Sequence, residues 1–377
     1  MFDSTQTLSP DFRPTLTDRI KNRFFYSKTA TGVTIVAGFF LAVVFVYLVR
    51  WGIVDAVFRA DAKACYEAGG ACWGFITEKW RLILFGRYNY DEQWRPALAT
   101  LLILVMLVVT AWPVTWKKPY VKWLIAGWVV VMAAFFTLMA GGVFGLKPAD
   151  SDSWGGLPLT VILTLLGMTV SVPIGIVLAL GRRSSLPLVR MVSAGYIEIV
   201  RGVPLITVLF VASFVFPLLL PSDVRIDPFW RVAWGIILFQ AAYMAETVRG
   251  GLQTIPKGQF LAADSLGLKA WQSQLYVILP QALAAVIPAF VNSLLSTFMD
   301  TSLVTVVSMF DLTGSLALAL GDAQWRDFFR EGYIFIAAIY FSASFVMSRY
   351  SQWLEVRCLF FAVGSECFYD RGSAACF

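Results

Sequence analysis

The feature that most constrains this chain is a series of long uncharged runs. A helix of about 20 apolar residues is long enough to cross the hydrocarbon core of a bilayer. In chain order the apolar segments are Thr29–Val49, Pro96–Trp116, Trp123–Leu146, Ser153–Gly181, Gly202–Ser222, Val232–Ala245, Pro280–Met299 and Gly332–Ser348. The sequence therefore predicts an all-α polytopic membrane protein with about eight transmembrane helices.

Two parts of this series depart from the simple pattern. Val232–Ala245 has only 14 uncharged residues, so its helix is predicted to continue past Glu246 toward Arg249. Asp311 divides the stretch 301–321 into two halves, and neither is long enough to cross a membrane. Short half-helices or a re-entrant segment are predicted there. Because such backbone is tolerated at membrane depth only where protein or a polar cavity covers it, this stretch is a candidate pathway wall.

Composition excludes several classes of function. The chain has no histidine, which excludes Ser-His-Asp triads, HExxH zinc sites and imidazole proton relays. It also lacks a GxxxxGK(S/T) phosphate loop, so any nucleotide chemistry belongs to another chain. The five cysteines have neither zinc-ribbon nor CxxC spacing, and no metal site is predicted. We expect a protein that is not itself an enzyme.

The distribution of basic residues predicts the orientation. Under the eight-span arrangement the inner segments contain seventeen lysines and arginines, whereas the short outer loops contain five. Because positive charge accumulates on the cytoplasmic side, both termini and residues 249–280 are placed inside. The loop 50–96, which contains Cys65 and Cys72, is placed outside. In an oxidising compartment this pair is a possible disulfide, and the sequence leaves its formation open.

The longest polar interruption in the second half of the chain is Ala241–Pro280. The pair Gly250–Gly251 is expected to break the preceding helix. A short helix is then predicted over Lys257–Leu266, and Gly267 is expected to end it in the left-handed conformation. A second short helix, Lys269–Leu279, should lead back to the membrane. The pattern alone is equally compatible with a hairpin that only caps the helix bundle.

The spacing within this interruption resembles a known motif, the EAA loop of ABC importer permeases. The matching residues are Ala262, Ala263, Gly267 and, after nine further residues, Val277, Leu279 and Pro280. The flanking stretches AAYMAETVRGG, YIEIVRGVPL and MDTSLVTVV are similar to the polar amino-acid subfamily. The resemblance covers roughly Ser153–Glu355. One position departs from the motif, because Leu261 stands where the family has glutamate.

The resemblance implies three parts in the chain. Residues 1–152 would be an extension with three spans and a long periplasmic loop, as in the longer permeases of general L-amino-acid or glutamate/glutamine/aspartate/asparagine importers. Residues 153–350 would be a five-span type I permease core with the cytoplasmic coupling loop 249–280. Residues 351–377 would be a cytoplasmic tail, although this tail does not resemble the usual ending of the family.

The resemblance also implies function and partners. The chain would be a multi-pass permease subunit in a bacterial inner membrane, and it would couple ATPase motion to alternating access for polar L-amino acids. Its partners would be ABC ATPase subunits that bind ATP and Mg, a second homologous permease, a periplasmic amino-acid-binding protein and lipid, with no nucleic acid. Residues expected to couple to the ATPase are Lys257, Gly258, Gln259, Leu261, Ala262, Ala263, Gly267 and Leu268.

Two pairs of opposite charges lie near predicted membrane edges. Glu198 and Arg201 are three residues apart, as are Glu246 and Arg249, a spacing that places both members on one helix face. Each pair has two interpretations. It is either a structural pair at the membrane boundary or part of an inner gate that changes as two permease halves move.

Five polar residues are candidates for the substrate pathway. Gln240 and Asn292 lie within predicted spans, where hydrogen bonding between helices is the alternative role. Asp300, Thr301 and Ser302 combine a carboxylate with hydroxyls that suit a zwitterionic amino acid. The alternative for Asp300 is a structural cap at the start of a helix.

Two other functional classes are alternatives to an ABC importer permease. An ion-coupled secondary amino-acid transporter or channel would use membrane acids such as Glu246 and Asp300 for ions, and it would not require the EAA spacing. A membrane scaffold or enzyme without transport is disfavoured by the absence of catalytic motifs. The sequence does not identify the transported amino acids or decide between a hetero- and a homodimer.

Overall fold

The regular structure is almost entirely helical, so the predicted all-α class is confirmed. The computed structural model describes Thr17, residues 23–221 and residues 223–363. The α-helices are α1 Lys28–Val49, α2 Ala62–Ala68, α3 Gly74–Phe85, α4 Trp94–Ala111, α5 Lys118–Ala140, α6 Gly156–Arg182, α7 Pro187–Gly202, α8 Leu205–Phe210, α9 Phe216–Leu218, α10 Pro228–Thr254, α11 Lys257–Ser265, α12 Ala270–Gln272, α13 Leu279–Ala285, α14 Ile287–Asp300, α15 Leu312–Leu320 and α16 Phe329–Val363.

Short π-helical and 3₁₀-helical segments join several of these helices. The π-helical segments are Arg50–Val54 after α1, Val211–Val215 between α8 and α9, and Ser273–Ile278 between α12 and α13. The 3₁₀ segments are Tyr90–Glu92, Pro113–Trp116, Ser151–Ser153, Thr301–Val307 and Arg326–Phe328. The basic residues of the N-terminal tail before residue 23, and the predicted tail beyond residue 363, lie outside the described residues.

The chain divides into two compact units, one up to Thr77 and one from Glu78 onward. In the first unit, Cys65 and Cys72 form a disulfide, with their Cα atoms 5.4 Å apart. Both cysteines are buried, and Asp61 begins α2 by accepting hydrogen bonds from the backbone of Lys63 and Ala64. The bridge that the sequence left open is therefore present in the structure.

Six helical segments are long and apolar enough to cross a membrane, namely Lys28–Val54, Tyr90–Ala111, Pro119–Ala140, Gly156–Arg182, Ile287–Val307 and Arg326–Leu354. A seventh exists if Pro187–Gly202 and Leu205–Leu218, which are bent by 105°, count as one span. The predicted number of eight is reached in the described chain only if α10 is also counted. Its 27 residues are long enough, but Gln240, Glu246 and Arg249 lower its mean hydropathy.

The second unit is built around α6 and α10. Buried residues extend along α10 from Phe229 to Leu252. At Gly175 of α6, a Cβ atom would lie 2.5 Å from the Cβ of Met244, so only glycine permits this approach. The last residue of α6, Arg182, contacts Glu246 near the end of α10, which shows that the two helices run in the same direction.

The predicted helix break at Gly250–Gly251 is wrong. α10 continues through both glycines and ends at Thr254, with Ile255 extended before Pro256. A proline disfavours the helical conformation of the residue before it, so Pro256 explains the end of the helix. At Gly251 a Cβ atom would lie 2.6 Å from the Ala282 carbonyl oxygen of α13. This glycine therefore permits close helix packing instead of breaking the helix.

The stretch between the last two spans consists of short pieces, as predicted. Thr301–Val307 is a 3₁₀ segment, and Phe310–Asp311 is a two-residue strand that leads into α15. This strand pairs with Gly155 and Gly156 at the start of α6. Asp311 is fully buried and accepts hydrogen bonds from the backbone N–H of Gly314 at 2.8 Å and the hydroxyl of Tyr340 at 3.0 Å. The segment is thus anchored to α6 and α16.

Candidate functional site: the coupling loop, an ion-pair network and a central cavity

The loop that carries the EAA-like spacing forms a short exposed helix, α11, which ends at Ser265. Gly267 follows with φ of 73°, the left-handed conformation predicted for it. Leu268 donates its backbone N–H to the Ala263 carbonyl at 3.2 Å, which closes the end of the helix. The predicted second helix begins at Ala270 and continues through the π segment into α13, so the return to the membrane is continuous.

The two faces of α11 have different surroundings. Ala263 is only 2% exposed, whereas Leu261 is 66% exposed. Phe260 packs against a buried apolar cluster that includes Ile197, Val248 and Ile278. The small side chain of Ala263 therefore permits contact with the bundle, and Leu261 and Ala262 lie on the outside. Among the other predicted coupling residues, Lys257, Gly258, Gln259 and Gly267 are exposed and Leu268 is half-buried.

An ion-pair network centred on Glu246 lies near the end of α10 that leads into this loop. Its carboxylate accepts hydrogen bonds from Arg182 of α6 at 2.8 Å and from Arg249 of α10 at 2.7 Å, and it lies 3.5 Å from Arg201 of α7. The Glu246 side chain is 15% exposed. One carboxylate thus connects three helices at the same end of the bundle.

The two predicted charge pairs have different outcomes. Glu246 and Arg249 do form the expected pair on α10. Glu198 instead pairs with Arg182 at 3.0 Å, and Arg201 pairs with Glu246. Arg182 was not singled out from the sequence, because it was counted only as the inner end of a span. Its position immediately after a long apolar run is the signal that marks it.

A cavity of about 550 Å³ lies beside this network. It is lined by Arg201, Gly202, Val203, Pro204, Leu205, Phe239, Gln240, Tyr243, Ser293, Ser296, Asp300 and Leu303. The lining comes from α7, α8, α10, α14 and the start of the following 3₁₀ segment. The guanidinium of Arg201 lies 5.5 Å from the centre of the Tyr243 ring, a contact that holds the charge at the cavity wall.

The predicted pathway residues are only partly brought together here. Gln240 lines the cavity and donates a hydrogen bond to the Thr297 hydroxyl of α14, so it also has the predicted role between helices. Asn292 is exposed. Thr301 is buried and donates to the Phe298 carbonyl, and Ser302 is half-buried. In the part of the chain that the structure describes, these last three do not line the cavity.

Asp300 lines the cavity, but it does not begin a helix through its side chain. It is the last residue of α14, and its carboxylate accepts a hydrogen bond from the Ser296 hydroxyl at 3.3 Å. Asp300 also directly precedes the 3₁₀ segment Thr301–Val307, but its side chain makes no cap hydrogen bond there. Ser293 and Ser296 were missed from the sequence, although their spacing from Asp300 places all three near one face of α14. Within the described residues, no cluster of three or more Cys, Asp or Glu could hold a metal ion.

Comparison with known proteins gives consistent matches. Residues 171–358 match the family described as binding-protein-dependent transport system inner membrane component. The chain is 46% identical over 312 residues to the inner membrane amino-acid ABC transporter permease protein YhdY of Escherichia coli (strain K12), covering 82% of this chain and 84% of the relative. It is 38% identical over 345 residues to the glutamate/glutamine/aspartate/asparagine transport system permease protein BztC of Rhodobacter capsulatus, covering 77% and 79%.

Among solved structures, the crystal structure of an amino acid ABC transporter with histidines covers 54% of this chain and 92% of its own chain. Its sequence identity is 33% and its TM-score is 0.48.

Proposed function

This chain belongs to the inner-membrane permease family of binding-protein-dependent ABC importers, and we propose that it transports polar L-amino acids. As a permease subunit it is not an enzyme, and ATP is hydrolysed by a separate subunit. The names of its relatives, which include a glutamate/glutamine/aspartate/asparagine permease, support the proposed substrate class.

The packing of α11 against the helix bundle supports a role in coupling. Its Ala263 and Phe260 contact the bundle, whereas Leu261 and Leu266 are 66% and 79% exposed. An apolar side chain in water gains about 1.5 to 3 kcal/mol when it is fully buried. We place the ATPase subunit on this exposed face, where Leu261 contributes apolar burial in place of the glutamate of the motif. Movement of the ATPase then reaches α10 and α13 through the packed face of α11.

The proposed transport cycle follows from the position of the ion-pair network. The Glu246 network lies between the coupling loop and the central cavity and connects the ends of α6, α7 and α10. We propose that it is an inner gate whose pairs change when ATP binding moves the helices as rigid bodies. The ATP-bound partner supplies the energy because it favours one arrangement over the other.

The central cavity has the chemistry that a free amino acid requires. Arg201 offers a cation for the α-carboxylate, and Asp300 offers an anion for the α-ammonium group. Gln240, Ser293 and Ser296 offer neutral hydrogen-bonding groups for a polar side chain. This division of charge supports a zwitterionic substrate. We therefore propose that Arg201, Gln240 and Asp300 contact the substrate on its pathway.

The assembly and orientation are part of the proposal. The complex contains ATPase subunits, which bind ATP and Mg, and an external binding protein. We further propose a second homologous permease and an orientation in which both termini and the coupling loop face the cytoplasm. A disulfide in the loop 50–96 supports this orientation, because such bonds persist in oxidising compartments outside the cytoplasm.

The decisive test is uptake by the reconstituted complex of permease, ATPase and binding protein across twenty amino acids. Asp300→Asn should weaken uptake of the preferred amino acid, because it removes the anion that faces the ammonium group. Asp223→Asn, at an exposed position outside the cavity, is the matched control and should transport normally. Uptake that persists without any ATPase subunit would instead identify an ion-coupled carrier.

A further inference from the structure

A second, smaller cavity of about 210 Å³ lies at the opposite end of α10 from the Glu246 network. We call it the outer cavity. It is lined by Arg87, Asp152, Ser213, Phe214, Pro228, Arg231, Val232, Val307, Ser308 and Met309. Two guanidinium groups and one carboxylate border it, so its lining carries a net positive charge. A cavity of this kind suits a small anion or the carboxylate group of a small molecule.

Two polar atoms in this lining are buried without hydrogen-bond partners. They are the hydroxyl of Ser213, whose residue is 7% exposed, and the Nε of Arg231. The two residues are adjacent, because Arg231 donates through Nη1 to the Ser213 carbonyl at 2.7 Å. Leaving a buried donor unpaired costs free energy, so such atoms usually have a partner in the working state. Here both donors lie at the wall of one cavity.

The start of α10 does not depend on Arg231 or on the Ser213 hydroxyl. Arg231 lies in the first turns of α10, where the helix dipole favours anions over cations. Asp227 already begins this helix by accepting from the Phe229 N–H at 2.9 Å. Ser213 lies in the π segment Val211–Val215, a type of turn that is frequent at functional sites. An anion beside Arg231 would be stabilised by both the guanidinium and the start of the helix.

The other charged residues of the lining are held by their own contacts. Arg87 donates to the Asp152 carbonyl at 2.7 Å, and its guanidinium lies 4.9 Å from the centre of the Phe310 ring. Asp152 is exposed, which places a carboxylate at the rim. A ligand with a carboxylate near Arg231 and an ammonium group near Asp152 would satisfy the charges at both positions.

The outer cavity and the central cavity share two structural elements. Arg231 and Gln240 are nine residues apart on α10, which corresponds to about 13 Å along the helix. Leu303 of the central cavity and Val307 of the outer cavity lie in the same 3₁₀ segment. We infer that the outer cavity is a second amino-acid site, in which Arg231 and Ser213 bind the α-carboxylate before the molecule moves on to the central cavity. The choice of an amino acid as ligand rests on the proposed function.

Equilibrium binding of tritiated L-glutamine tests this inference. The full chain, in complex with its ATPase subunits in nanodiscs, is measured without ATP and without the binding protein. We expect two bound equivalents for each permease chain. Ser213→Ala should weaken one of them about tenfold, because it removes a hydrogen bond to a charged group. Arg231→Gln should weaken the same equivalent at least as much, and L-glutaminamide, which lacks the carboxylate, should not compete for it.

Within the part of the chain that the structure describes, the Ser213 hydroxyl has no hydrogen-bond partner, so Ser213→Ala leaves no other group of the protein unpaired. Weaker binding in this variant would therefore report the lost contact with the ligand. Ser344→Ala is the matched control, since the Ser344 hydroxyl is also buried without a partner and lines neither cavity. A single equivalent, or two that both variants leave unchanged, would overturn the inference and identify a cavity that holds only water. If only one equivalent of L-glutamine binds but ATP-driven uptake persists, the outer site is excluded and the proposed function is unaffected. If two equivalents bind but no ATP-driven uptake occurs, the proposed function is refuted and the outer site is supported.

Discussion

Replacing Glu246 by glutamine should destabilise the end of the bundle at which α6, α7 and α10 meet far more than the same change at Glu198. The Glu246 side chain is 15% exposed and forms ion pairs with three arginines. The Glu198 side chain is 67% exposed and, within the described residues, forms an ion pair only with Arg182. Breaking a buried ion pair by removing one partner costs about 3 to 5 kcal/mol. The three arginines are partly exposed, so we expect a loss of about 2 to 3 kcal/mol for Glu246→Gln.

Glu198→Gln is the matched control, because exposed pairs contribute about 0 to 1 kcal/mol. Unfolding of each variant by increasing SDS in mixed micelles gives the difference in unfolding free energy. ATP hydrolysis without binding protein gives a functional readout, and it should rise in Glu246→Gln if the network holds the inner gate shut. Equal losses of stability in the two variants would refute the assignment of Glu246 as the centre of the network. An unchanged basal ATPase rate would refute the gate.

Three further predictions concern other parts of the chain. Gly267→Asp should insert normally but lose ATP-driven uptake, because it places a carboxylate at the exposed end of α11, on the surface proposed to contact the ATPase. Normal uptake would contradict this. An external membrane-impermeant maleimide should label Cys65 or Cys72 more after reduction than before it, and equal labelling would contradict the bridge. Lys79 donates a hydrogen bond to Asp322 at 2.8 Å and lowers the pKa of Asp322. The Lys79–Asp322 contact should therefore stabilise the fold at pH values above the ordinary aspartate pKa, and this stabilisation should be lost as the pH falls through the lowered pKa of Asp322. In Asp322→Asn, the free energy of unfolding measured across acidic pH should no longer change in this way.

The sequence was informative where the local chemistry decides the structure. The uncharged runs predicted the membrane helices, and the position of Gly267 predicted the left-handed end of α11. Both follow from residues close together in the chain. The same is true of the i,i+3 pair of Glu246 and Arg249, and of the short pieces on either side of Asp311.

The sequence was misleading where contacts between segments that are distant in the chain determine the structure. Gly251 has the properties of a helix breaker, but its role is set by the approach of Ala282 on another helix. Glu198 was expected beside Arg201, yet Arg182 lies closer to it across the helix interface. The lining of the central cavity also combines residues of several helices. The spacing of Ser293 and Ser296 from Asp300 places them near one face of α14, but the sequence does not show that this face borders a cavity.

The anchoring of the segment between α14 and α16 has a consequence for how the protein is made. The segment depends on α6 for hydrogen bonds, since the Leu312 N–H donates to Thr160 at 3.1 Å and the Ser315 hydroxyl accepts from the Gly156 N–H at 3.1 Å. In lipid each missing bond would cost several kcal/mol, so the segment cannot enter the membrane alone. Because α6 is synthesised first, its binding surface exists before the segment leaves the ribosome. The order of the helices along the chain is thus also an order of insertion, and a circular permutation that places α6 last should be degraded during biogenesis.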